Sequence, residues 1–157
     1  MVKIKSEEIA NLLVEAKRNT YAKKGEGAEI FLPNKGKKLE FKKGEFFYRD
    51  IYFGFNPFIG EEVVWYKNKI AWGMNYYGKI ILNDVPPGEI YEFLKESLRK
   101  VEKGKPFRGL DGFEKKNFKY LNRAKGSLDN FIGKERILFN NKEVYNLVYH
   151  GGFVEEK

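Results

Sequence analysis

From residue 37 onward, apolar or aromatic residues alternate with polar ones in short runs that stop at glycine or asparagine turns. A period of two sends alternate side chains to opposite faces of a strand, so most of this chain is committed to a sheet. Runs 37–42 and 45–54 flank Lys43-Gly44 as a hairpin. Runs 62–66 and 70–77 flank Lys67-Asn68-Lys69, where Asn68 tolerates the left-handed backbone of a tight turn. Runs 117–125, 135–140 and 143–150 complete the set, with 126–133 and 140–142 read as turns. Segment 23–36 is broken by glycines and Pro33 and holds one short strand at Ile30-Phe31.

Two stretches keep a helical period instead. Over 6–18, Ile9, Leu12, Leu13 and Ala16 share one face, Ser6 stands at the capping position, and Glu7 and Glu8 oppose the positive end of the dipole. Over 87–103, Ile90, Phe93, Leu94, Leu98 and Val101 form the apolar stripe. Pro86-Pro87 opens that helix with Asp84 near its cap, and Gly104 closes it. The order helix, four strands, helix, three strands predicts an α+β fold. The expected architecture is one domain over 1–157, a twisted antiparallel sheet of seven strands with both helices on one face. No linker, internal repeat or low-complexity tract is read along the chain.

The 157 residues suit one domain, and 14 Phe, 10 Tyr and 2 Trp exclude intrinsic disorder. With no cysteine, disulfides, thiol nucleophiles and thiolate metal sites are excluded; with His150 alone, so is any site needing two imidazoles. No apolar stretch reaches the ~18 residues of a membrane-spanning helix, and the first residues lack the apolar core of a secretory leader. The expected location is therefore the cytoplasm. Thirty Lys+Arg against 22 Asp+Glu leave a net charge of +8. That excess attracts anionic partners, nucleic acid first, or it reflects a thermophile-like surface, since the chain has no Gln and a single Thr.

The run 45–54 carries the most chemistry. Alternation places Phe47, Arg49, Ile51 and Phe53 on one face, and Phe46, Tyr48, Asp50 and Tyr52 on the other. An acid between two tyrosines is either a ligand anchor or a carboxylate satisfied by their hydroxyls. In 70–77, Trp72, Met74 and Tyr76 share a face, and Gly73, Asn75 and Tyr77 share the other, with Gly73 leaving a gap for close approach. Tyr48, Asp50, Asn75 and Tyr77 lining one concave face would make an apolar-walled pocket with polar anchors, with Tyr52 beside them and Trp72 or Trp65 at the rim. A helix laid over that face is the alternative. Glu61 or Asp50 with His150 forms the acid–base set an enzyme would need. Glu61, Glu62 and Asp50 offer carboxylates to a cation, yet glutamates at a strand start are ordinary, so no metal and no cofactor are expected. Sheet platforms that stack bases offer a further template, with Phe118, Tyr120, Arg123, Tyr145 and Tyr149 as candidates, although no RNP-like run is present.

Several segments together resemble an uncharacterised bacterial and archaeal domain family, found alone or fused to helix-turn-helix regulators of the Xre type. They are Ala16-Lys17-Arg18-Asn19-Thr20-Tyr21-Ala22, Phe47-Tyr48-Arg49-Asp50-Ile51-Tyr52-Phe53-Gly54, Phe58-Ile59-Gly60-Glu61-Glu62-Val63-Val64-Trp65, Trp72-Gly73-Met74-Asn75-Tyr76-Tyr77-Gly78, Pro106-Phe107-Arg108-Gly109 and Tyr149-His150-Gly151-Gly152. The resemblance carries no activity and no catalytic residue. Its fusion habit implies a sensing or protein-contact domain.

The first expectation is thus a non-enzymatic binding module, taking a small ligand or a protein partner on an aromatic-lined sheet face built from Tyr48, Asp50, Tyr52, Glu61, Trp72, Asn75, Tyr77 and His150. Nucleic-acid binding through a basic surface and an enzyme using Asp50, Glu61 and His150 are the alternatives. A homodimer that covers exposed strand edges is compatible with each.

Overall fold

A computed structural model describes residues 4–20 and 29–157. Helix α1 (Ser6–Thr20) precedes strands β1 (Ile30–Phe31), β2 (Lys37–Lys43), β3 (Phe46–Gly54), β4 (Phe58–Tyr66) and β5 (Lys69–Ile80). Helix α2 (Pro87–Arg99) then leads into β6 (Gly112–Lys115), β7 (Phe118–Ser127), β8 (Asn130–Phe139) and β9 (Lys142–Phe153). The nine strands of the described residues form one antiparallel sheet in the order β1-β2-β3-β4-β5-β9-β8-β7-β6. The fold is α+β with both helices on one face, as expected, but it has nine strands rather than seven. The short strand read at Ile30–Phe31 joins the sheet by pairing with β2, and Gly112–Lys115, which was not read as a strand, pairs with β7.

The strands run longer than the alternation alone indicates. Gly60, just ahead of the run 62–66, and Gly133, in the expected turn 126–133, both lie inside strands, and the β7–β8 turn shrinks to residues 128–129. Large rings explain both positions. A Cβ on Gly60 would sit 2.3 Å from the ring of Tyr76, and one on Gly133 would sit 2.1 Å from that of Tyr149. The missing side chain seats a tyrosine from the next strand.

The helix ends also differ in detail. At α1 the Lys5 amide donates to the Glu8 carboxylate at 3.0 Å, so Glu8 reaches back to cap the turn that Ser6 was expected to cap. At α2, Pro86 stands at the cap with no side-chain bond, so Asp84 does not serve there. That helix ends at Arg99, short of residue 103. Val101 is fully buried and pulls the chain inward before Gly104 is reached.

The sheet also shows a repeat that the residue-by-residue reading misses. Residues 58–69 (FIGEEVVWYKNK) and 131–142 (FIGKERILFNNK) are identical at six positions, 73 apart. Both copies form the same two strands, with a register shift at Val64/Trp65 in one and at Ile137/Leu138 in the other. Upstream the offset is 72: the Phe46 ring packs tilted against Tyr66 at 4.7 Å as Phe118 does against Phe139 at 4.9 Å. The helices correspond as well. Lys43 pairs with Glu15 of α1 at 2.6 Å, and Lys115 with Glu96 of α2 at 2.9 Å. The two copies meet at the antiparallel β5–β9 pair, where Tyr76 and Tyr149 are direct partners. An antiparallel pair carries a local two-fold axis, and here it relates one α–β unit to the other.

Candidate functional site

The inward face of the sheet carries a polar network sealed under both helices and the segment after α2. Tyr48, Asp50, Glu62, Tyr120, Glu135, Tyr145 and Tyr149 are all fully buried. Arg108 forks onto Glu135 at 3.0 and 3.1 Å, while Tyr120 and Tyr145 donate to the same carboxylate at 2.5 and 2.9 Å. In the first unit Lys17 of α1 lies 3.6 Å from Glu62, which also accepts from the Tyr48 hydroxyl. Lys17 additionally donates to the carbonyls of Pro106 and Phe107. The repeat pairs the remaining members: Tyr76 donates to Asp50 at 2.6 Å, and Tyr149 donates to Asn122 at 2.7 Å. The Arg108 guanidinium lies 5.3 Å above the Tyr76 ring and so links the two halves.

Burial dominates the electrostatics here. It holds the Lys17 ammonium below the usual lysine range, against the opposing pull of Glu62. It pushes the Tyr120 and Tyr145 hydroxyls well above the usual tyrosine range, and the Glu135 charge pushes the same way. With cations, acids and hydroxyls locked on one another, this network orders the core rather than presenting groups to a ligand.

Tyr48, Asp50, Asn75 and Tyr77 therefore do not converge, which corrects the shared-pocket expectation. Within each strand the alternation is as read, but register decides which faces match. Tyr48 pairs with Val64 and Val64 with Trp72, so Trp72 and Tyr76 share the inward face with Asp50. Asn75 and Tyr77 point outward, and the Tyr77 ring is 49% exposed. Tyr52 faces inward, half-buried, and its hydroxyl donates to Glu29. Asp50 also lies on the face opposite Glu61 and His150, so the three form no single acid–base set.

The outward face does gather part of the expected set. Glu61 pairs with Asn75, and Asn75 with His150, giving one row across β4, β5 and β9. All three are exposed, and they border a hollow of about 380 Å³. Its floor includes Gly73, whose ideal Cβ would meet nothing closer than the Glu62 carbonyl at 3.6 Å, an ordinary contact. Val63, Ile70 and Phe153 supply apolar lining, whereas the Trp72 side chain, expected at the rim, is fully buried on the inward face, where its indole N–H donates to the Leu128 carbonyl at 3.1 Å. Three of the eight expected residues (Glu61, Asn75, His150) thus meet at one place, and Tyr77 lies one row away.

The sequence reading missed the buried partners Lys17, Arg108, Asn122 and Glu135. One signal marks two of the acids: Phe-Ile-Gly-x-Glu occurs at 58–62 and again at 131–135, ending each time on the buried glutamate. Among the described residues, no cluster of three or more histidine or acidic side chains could hold a metal ion. No described helix is long and apolar enough to cross a membrane.

Comparison with known proteins adds a family and no activity. No curated protein and no solved structure matches the chain. One family model matches residues 50–154, which takes in the hollow, the buried acids and the whole second unit, and leaves outside it α1 with Lys17 and the first strands through Tyr48. By that match the chain belongs to the family described as Domain of unknown function (DUF5680).

Proposed function

We propose that this protein is a non-enzymatic binding module that recognises a small polar ligand on the outward face of its sheet. The observation that carries this reading is the Glu61–Asn75–His150 row beside the Gly73 hollow. An acceptor, a two-sided amide and an imidazole around a partly apolar depression suit a compact molecule with both donors and acceptors. Glu61 and His150 stand two strand spacings apart, about 10 Å along the sheet, which suits opposite ends of a ligand better than a shared proton. A sensing domain beside a DNA-reading partner, which the family resemblance implies, fits the same surface.

Thermal-shift titration of a metabolite library tests it. A true ligand raises the melting temperature, since at 100-fold excess over Kd binding adds about 2.7 kcal/mol to stability. The shift is expected to vanish in Glu61→Gln and His150→Ala while both variants melt like the parent. A library without hits, or hits that both variants retain, would remove the hollow as the site.

A further inference from the structure

The two-fold relation between the units exposes a difference on the outward face. In the first unit, positions 51, 53, 61 and 63 hold Ile51, Phe53, Glu61 and Val63. Their counterparts in the second unit are Arg123, Lys125, Lys134 and Arg136. At these positions the same backbone is apolar or acidic on β3–β4 and basic on β7–β8, so the fold itself does not require cations there; the outward cation of β3, Arg49, lies over the Trp65 ring and has Leu121 as its counterpart. Arg123 and Lys134 are direct cross-strand partners on this face. Like charges placed opposite each other destabilise a strand pair unless something anionic lies over them. Lys125 stands one pleat along from Arg123. Among the described residues, the one ion pair these four cations make joins Arg136 to Glu143 at 3.6 Å, which leaves a marked positive excess.

The basic wing continues into an aromatic position. The row from Arg123 and Lys134 crosses Val148 and reaches Tyr77. The Tyr77 ring is half exposed and lies about 14 Å from Arg123 at three strand spacings. A flat face with cations at one side and an exposed ring at the other matches a nucleic-acid single strand: phosphates meet the cations and a base stacks on the ring. A duplex keeps its bases stacked inside and has no use for Tyr77.

We infer that the outward face of β7 and β8, with Tyr77 at its border, binds single-stranded nucleic acid. This rests on the reading of the outward face as the recognition surface, but it uses the wing across the two-fold axis from the hollow. Fluorescence anisotropy with a labelled oligothymidylate at 50 and 200 mM salt tests it. Neutralising about four phosphates predicts a loss of affinity of roughly 50-fold between those conditions. Arg123→Glu with Lys125→Glu should remove most binding and flatten the salt dependence, and Tyr77→Ala should weaken it about ten-fold or more with the salt slope unchanged. Lys134→Glu is the fold control, because it sets an opposite charge against Arg123 and should melt no lower than the parent. The inference is overturned if the parent does not bind, if the variants bind as it does, or if polyglutamate competes as well as the oligonucleotide. If the oligonucleotide fails while a small-molecule hit at the hollow survives, the strand-binding surface is wrong and the binding module stands. Failure of both removes both.

Discussion

Glu135 has no exposed surface, yet it accepts from both arms of Arg108 and from two tyrosine hydroxyls. A carboxylate taken out of water is tolerated only with that degree of satisfaction. Arg108→Leu should therefore cost roughly 3–5 kcal/mol, because Glu135 would stay buried and lose its counter-charge. Urea unfolding checks this; a loss below about 1 kcal/mol would mean that the two tyrosines satisfy Glu135 alone. Glu62, its counterpart in the first unit, is held less completely, with one carboxylate oxygen left without a hydrogen-bond partner. At this scale the sequence says little. Glu62 and Glu135 look like any strand glutamate, because their burial depends on Lys17 and Arg108, each far away along the chain.

Among the elements, β4 and β8 each depend on a glycine beneath a neighbouring tyrosine ring. Since Gly60 and Gly133 occupy equivalent places, Gly60→Ala and Gly133→Ala should destabilise to a similar extent, each by about 1–3 kcal/mol from overpacking. Denaturant midpoints of the two variants test the equivalence, and a cost confined to one would show that its ring moves aside freely. These glycines also explain why the strand boundaries were read short. A glycine between apolar runs reads as a break, and only the partner strand reveals that it is a seat. Both helices were legible from their apolar stripes, because helical periodicity is local; β6, which was not read, is a short edge defined mainly by pairing.

At the level of the whole molecule, the buried hydroxyls set an alkaline limit. Tyr120, Tyr145 and Tyr149 keep their protons above the usual tyrosine value of 10.0, chiefly through burial, whereas an unfolded tyrosine releases its proton near that value. Their contribution is fully present below pH 10 and is lost as pH rises through the raised folded values. Lys17 acts in the opposite sense, since a folded value below 10.5 makes its contribution grow as pH climbs toward 10.5. Three tyrosines outweigh one lysine, so urea midpoints should hold steady near neutrality and fall above about pH 10. A midpoint that stays level into that range would place the hydroxyls in contact with water. The sequence by itself determined the class of fold, the two helices, the side of each strand on which a residue lies, and the absence of cysteine chemistry, because these follow from local period and composition. The tertiary structure alone decided that Asp50 looks into the core while Asn75 and His150 look out. Cross-strand register matches one strand's faces to another's, and it is set by contacts between residues distant along the chain.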